Sequence, residues 1–244
     1  MSPNHNQQRM YADLAWLFPI ITPPEDYVSE AGEFIQAIRQ NARIQVESLL
    51  DLGCGSGHND HTLREHFRVT GVDTSKTMLS LAGKLNPDVR YLVGDMRSAR
   101  LGEAFDAVII ADAISYMLTE EDLQAAIQTA FEHLKPGGVF ATYAEETPDR
   151  FVQHGTFTTT HVQGDLSVTL IENYFDPDPT DTTYENTFIY LIRRSGKLQI
   201  ETDHHLCGIF PAETWPRLLR EVGFEVKTIH FEEGDCPMFV GVKP

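Results

Sequence analysis

Residues 46–57 constrain this chain more than any other stretch. An apolar run, Leu49-Leu50-Asp51-Leu52, passes into glycines at alternate positions, Gly53, Gly55 and Gly57, and then into a helical pattern. A strand ending this way lets a ligand lie directly on the backbone, because no Cβ intervenes, at the carboxyl edge of an open α/β sheet. The rival reading, a dinucleotide fingerprint Gly-x-Gly-x-x-Gly, needs a glycine where the chain carries His58. Asp51, just before the loop, is a carboxylate suited to an ammonium rather than a phosphate. The loop, with Gly53 and Gly55, is therefore expected to hold a nucleoside bearing a cationic amino-acid tail.

From residue 46 the sequence alternates short β-branched runs with helical stretches, the pattern of a parallel sheet with crossover helices. Strands are predicted at 46–51, 68–72, 89–93, 105–111 and 139–143. Helices are predicted from the glycine loop to about 67, over 75–85, and over 120–134 with Leu123, Ile127, Ala130 and Leu134 on one stripe. Between about 155 and 207 the period changes to two, as in Leu166, Val168, Leu170 and Tyr184, Phe188, Tyr190, Ile192. That predicts three or four antiparallel strands inserted after the fifth strand. A helix over 211–222 and strands at 224–231 and 238–242 close the chain, and helices are predicted at 10–17 and 25–40. The expected organisation is one domain: N-terminal helices (1–45), a donor-binding core (46–150), the β insertion (151–208) and a closing segment (209–244).

Further acidic residues fall at strand ends. Asp73 follows Gly71-Val72, where its carboxylate meets both hydroxyls of a ribose, with Thr74 beside it. Asp95 follows Gly94 and precedes Met96, an arrangement suited to an adenine. Ala111, at the end of the fourth strand, completes the expected donor set.

In this order, Asp51 to Gly57, Gly71-Val72-Asp73, Gly94-Asp95-Met96, Phe105-Asp106-Ala107-Val108 and Leu134-Lys135-Pro136-Gly137-Gly138 resemble a class I S-adenosylmethionine-dependent methyltransferase over nearly the whole chain. The resemblance implies a doubly wound, mostly parallel seven-stranded sheet with a reversed final strand, and S-adenosylmethionine as cofactor. A narrower likeness, carried by Asp26-Tyr27-Val28-Ser29-Glu30-Ala31, the β insertion, the helix near Pro211 and the closing Phe239-Val240-Gly241-Val242, is to the N,N-dimethyltransferases of nucleotide-linked amino sugars. It implies an insertion covering the acceptor pocket and a homodimer paired through that insertion. Where that branch carries Glu-Pro-Trp-Trp after the fifth strand, this chain has Tyr143-Ala144-Glu145-Glu146.

Methyl transfer from a sulfonium needs alignment and exclusion of water, and an amine acceptor needs only its lone pair. Tyr116 stands where the sugar-amine branch carries His or Tyr, which makes it the candidate to orient the acceptor or take its proton; packing beneath the insertion is the alternative. Glu145 and Glu146 are candidates to hold a cationic acceptor, and Tyr27 to touch the donor's carboxylate end. His58 and His61 share a helix face without a convincing third ligand, so no metal is expected. His204 and His205 alternate in the insertion, one toward the pocket and one toward solvent. The expected activity is N-methylation of a small-molecule amine, including amino sugars; O-methylation of a small metabolite and non-catalytic donor binding are the alternatives.

Nineteen basic residues against 36 acidic ones leave a net charge of −17, which disfavours nucleic acid and membrane surfaces as partners. Three cysteines make no disulfide framework, and the polar first ten residues lack the apolar core of a secretory leader. A cytoplasmic protein is expected.

Overall fold

The computed structural model describes residues 8–244. The chain enters through 3₁₀ turns at Arg9–Tyr11 and Ala15–Leu17, a short helix α1 (Phe18–Ile21), a further turn at Pro24–Tyr27, and α2 (Val28–Asn41). The core follows: β1 (Ser48–Leu52), α3 (His58–Leu63), β2 (Arg68–Asp73), α4 (Lys76–Leu85), β3 (Arg90–Val93), β4 (Phe105–Ile110), the 3₁₀ turn Asp112–Tyr116, α5 (Glu120–Glu132) and β5 (Leu134–Tyr143). Then come β6 (Thr156–Gln163), β7 (Leu166–Phe175), β8 (Thr183–Arg194) and β9 (Lys197–Gly208), and finally α6 (Thr214–Val222), β10 (Glu225–Phe231) and β11 (Cys236–Val242).

Seven strands form one sheet in the order β3-β2-β1-β4-β5-β11-β10, and β11 alone runs against its neighbours. This is the expected doubly wound sheet with a reversed final strand. Alternate residues of the central strands feed two cores. Leu50, Leu52, Val108 and Ile110 pack under α5 and α6, whereas Leu49, Ala107 and Ile109 pack under α2. Burial on both faces is why β1 and β4 read as unbroken apolar runs. Two helix starts are capped by side chains: Ser75 Oγ accepts the Met78 N–H, and Thr119 Oγ1 accepts the Asp122 N–H.

The insertion is a separate antiparallel sheet, β6-β7-β8-β9, with four strands. Its inner face does not pack on the main sheet's core. Leu166, Val168, Leu170, Phe188, Tyr190 and Ile192 instead bury against Met10, Leu14, Leu17 and Ile21 of the N-terminal segment. Each such fully buried side chain contributes roughly 1.5–3 kcal/mol, enough to pin that segment beneath the insertion.

Three local expectations are corrected. Residues 10–17 form 3₁₀ turns rather than one helix, because Asp203 Oδ2 accepts the Met10 N–H and Ser75 Oγ donates to the Tyr11 carbonyl, drawing both groups out of a helical ladder. The helix after the glycine loop ends at Leu63, where the N–H groups of His66 and Phe67 both turn back to the Leu63 carbonyl and Phe67 enters the core under α2. Strand β5 starts at Leu134, and residues 135–138 bulge from its pairing with β4 while Gly137 donates to the Lys243 carbonyl.

Candidate active site

A cavity of about 370 Å³ opens at the carboxyl ends of β1, β2 and β4. Tyr27, Asp51, Gly53, Gly55, Asp73, Thr74, Asp95, Met96, Ala111 and Tyr116 all line it. So do Tyr11, Phe18, Ser56, His58, Asn59 and Asp112, which sequence reasoning had not assigned to the donor. Gly53 adopts φ +83°, and a Cβ there would lie 2.4 Å from the Ala113 Cβ, so the loop closes only around glycine.

The three acidic strand ends differ in state. Asp73 accepts the Gly55 N–H at 2.9 Å through Oδ2 and the Ser75 N–H at 2.7 Å through Oδ1, which ties the glycine loop to the next strand. Burial raises its carboxyl and those N–H bonds partly offset the rise. Asp95 sits at the rim, held by the Arg97 guanidinium and backbone N–H, and these bonds keep its carboxyl below the ordinary value. Asp51 is buried and hydrogen-bonded to the carboxyl of Asp60 of α3, which the Tyr91 hydroxyl also meets. Burial and then Asp60's charge drive Asp51 well above the carboxylate range, while burial raises Asp60 to about 6.

A second cavity of about 310 Å³ adjoins the first, with Tyr27 and Asp112 forming walls of both. Asp26, Glu30, Tyr143, Glu145 and Phe231 complete much of its lining. Tyr143 stacks on Phe231, donates its hydroxyl to Asp112, and lies 3.3 Å from Glu30 Oε1, which also accepts from Asn59 Nδ2 at 2.8 Å. Burial, then the charge of Asp112, raises both Glu30 and Glu145 to about 8. Glu146 lines neither cavity. Asp112 and Tyr143 sit at the ends of β4 and β5, the placement from which the sequence alone offers them as acceptor-side candidates.

Above the donor cavity, four side chains from distant parts of the chain form a line. Asp203 Oδ2 lies 2.8 Å from His205 Nε2, His205 Nδ1 lies 2.7 Å from the Tyr116 hydroxyl, and Tyr116 lies 2.8 Å from the Tyr11 hydroxyl. Asp203 and His205 are both buried to about 1% exposure of their side chains. Burial pushes Asp203 up, but the hydrogen bonds from His205 and the Met10 N–H outweigh it and keep the carboxyl below its ordinary value. An ionised Asp203 fixes the proton on Nε2 and leaves Nδ1 to accept from Tyr116, whose oxygen then accepts from Tyr11. His204 faces outward and meets Thr187. His58 packs between the rings of Phe18 and Tyr27, and burial drops it to about 4, so it is neutral. His61 pairs with Asn86. All three thiols are buried and pushed upward by burial, Cys207 and Cys236 to about 12, which leaves no thiolate nucleophile among them.

Residues 49–138 match a family described as methyltransferase domain. Over 220 residues the chain is 30% identical to the dTDP-3-amino-3,4,6-trideoxy-alpha-D-glucopyranose N,N-dimethyltransferase of Streptomyces venezuelae, covering 89% of this chain and 92% of that one. The chain belongs to the class I S-adenosylmethionine-dependent methyltransferases. It is an enzyme of that kind and S-adenosylmethionine is its methyl donor. The solved structure of Streptomyces venezuelae DesVI superposes with a TM-score of 0.84 at 26% identity, covering 95% of this chain and 96% of that one. The S-adenosylmethionine-bound amino pentose methyltransferase CalS10 of Micromonospora echinaspora superposes at 0.81 with 25% identity, covering 89% and 92%.

The residues present fit such a donor. The Asp51 carboxyl, buried in the cavity wall with only the Asp60 acid for a partner, is an acceptor that a methionine ammonium would complete, and buried Ser56, His58 and Asn59 in the same lining each carry an unpartnered polar atom. No helix among the described residues is long and apolar enough to cross a membrane.

Proposed function

We propose that this methyltransferase acts on the nitrogen of a small-molecule amine, with amino sugars as the favoured acceptors. The observation that carries the reading is the second cavity: five carboxyl groups and two tyrosines line it, and it meets the donor cavity at Asp112 and Tyr27. Carboxyls that burial holds protonated when the cavity is empty ionise when an ammonium enters, so the lining selects for a cation. The relatives named above act on amino sugars, which supports the same class.

Bound, S-adenosylmethionine supplies a methyl group already activated on sulfur. In this reading Asp51 holds the donor's ammonium, Asp73 and Thr74 its ribose, Asp95 and Met96 its adenine, and Tyr27 its carboxylate end. Gly53, Gly55 and Ala111 let it lie on the backbone. Tyr116 orients the amine; Glu145 of the second cavity draws it in, with the charge of the adjacent Glu146 behind it. Two copies pair through the insertion's outer face, which exposes Val162, Leu198, Ile200 and Leu206, and the cytoplasm is the compartment that suits three unpaired thiols.

The test is a matched pair of acceptors, an amino sugar and the same sugar with a hydroxyl in place of the amine, incubated with S-adenosylmethionine and analysed by mass spectrometry. Methyl increments on the amine alone are expected. Methylation of the hydroxyl compound instead would favour O-methylation, the second reading, for which the hydrogen-bonded line from Tyr11 through Tyr116 to His205 is the supporting observation: a hydroxyl acceptor requires a base.

A further inference from the structure

An amine reaches an enzyme at neutral pH as an ammonium, which has no lone pair to give. Before methyl transfer its proton must go to a group within hydrogen-bond reach of the donor cavity. Glu30 and Glu145 line the second cavity rather than this one, and Asp112, on the shared wall, is already engaged by the Tyr143 hydroxyl. Tyr11 and Tyr116 are pushed up by burial and do not become phenolates on their own.

The line of Tyr11, Tyr116, His205 and Asp203 has the missing capacity. With the His205 proton on Nε2, its hydrogen bonds can run one way, from the Tyr11 hydroxyl at the cavity to Asp203 behind it, at 2.8, 2.7 and 2.8 Å. Tyr11 and Tyr116 both line the donor cavity, whereas His205 and Asp203 are sealed beneath the insertion. We infer that His205, oriented by Asp203, is the proton acceptor for the substrate amine, reached through the tyrosine pair. This inference rests on the amine reading above and adds to it the group that takes the proton.

The step balances. One ammonium N–H bond breaks as its proton passes to a tyrosine oxygen, each tyrosine proton moves one place along the line, and the last forms the Nδ1–H bond of His205. Both tyrosines end as neutral phenols, and the positive charge sits on an imidazolium. The freed lone pair then forms the N–C bond as the donor's C–S bond breaks and its electron pair stays on sulfur. The groups facing His205 are Asp203 on its own strand, Glu172 on β7, and the neutral hydroxyls of Tyr116 and Tyr11, with the Phe188 ring against it on β8. His205 and Asp203 touch no substrate, so they are positioning residues; Tyr11, which takes the ammonium proton, and Tyr116, which passes it on, are the catalytic pair.

The experiment compares pH–rate profiles of the enzyme with those of His205→Gln, Asp203→Asn and Tyr116→Phe, using an amine the enzyme methylates. His205→Gln should lower kcat roughly 100-fold near neutrality, with donor affinity measured by calorimetry unchanged, and the deficit should shrink as alkaline pH delivers the amine already deprotonated. Tyr116→Phe, which keeps the ring and its packing, should show the same pH-dependent deficit, and Asp203→Asn a smaller one. As a readout apart from turnover, nitrogen NMR of the imidazole should show His205 Nδ1 gaining a proton when S-adenosylhomocysteine and the amine are both bound. A deficit equal at every pH, or an unchanged Nδ1 signal in that complex, would overturn the inference. An enzyme that methylates no amine at any pH would instead overturn the amine reading itself.

Discussion

Binding of S-adenosylhomocysteine should release a proton, and the reason lies in Asp51. Its carboxyl is buried against that of Asp60 and is held well above the ordinary range by burial and then by its neighbour's charge. An empty site therefore keeps a proton on the pair near neutrality, with Asp60 at about 6. A ligand ammonium favours the ionised carboxylate, so the proton leaves as the ligand arrives. Linkage sets the size: while the free pair holds the proton and the complex does not, affinity gains up to about tenfold, or 1.4 kcal/mol, per pH unit. Calorimetry at pH 6 to 8 in two buffers of different ionisation enthalpy reads the proton count directly. Release should approach one proton at the acid end and fall as pH rises. Asp60→Asn replaces a competing charge with an amide donor, so it should reduce the release and strengthen binding at pH 6. Zero net proton exchange across the range in the unmodified enzyme would refute the reasoning.

Asp73→Ala removes both the ribose acceptor and the two N–H bonds that tie the glycine loop, and should weaken binding of S-adenosylhomocysteine by about 1–3 kcal/mol in calorimetry. Gly53→Ala forces a Cβ into Ala113 at positive φ and should cost about 1–3 kcal/mol of stability together with a loss of donor binding, read by thermal melts and titration. Glu30, raised to about 8 by burial, binds its proton more tightly folded than unfolded. Its stabilising contribution is therefore complete below its unfolded value near 4.5 and is lost as pH rises through about 8. Unfolding curves should show Glu30→Gln narrowing the stability difference between pH 5 and pH 8 by about 1–3 kcal/mol.

Much of the donor site was legible because it is local. A strand, its terminal carboxylate and the following glycines are contiguous, so Asp51, Gly53, Gly55, Asp73 and Asp95 could be read from position alone, and all of them line one cavity. The seven-stranded sheet with its reversed final strand followed from the family resemblance, and the change from helical to alternating periodicity marked the insertion. The tyrosine–histidine line was not legible in that way. Tyr116 and His205 are 89 residues apart, and Tyr11 joins them only because Met10, Leu14 and Leu17 bury under the inserted sheet. Alternation in β9 required one of His204 and His205 to point inward, but which one depended on the register with β8, where Asn186 opposes His205. Glu145 and Glu146 follow a strand end where alternation stops, so sequence could not separate the one lining the second cavity from the one that does not.

The most direct test of the account is a crystal structure with S-adenosylhomocysteine and an amine acceptor bound together. The account predicts the ligand's ammonium on Asp51, its ribose on Asp73, and the acceptor nitrogen facing the sulfur from the side of Asp112, within hydrogen-bond reach of the Tyr11 or Tyr116 hydroxyl. A ligand bound away from the glycine loop, or an acceptor whose nitrogen lies remote from both tyrosines, would contradict it.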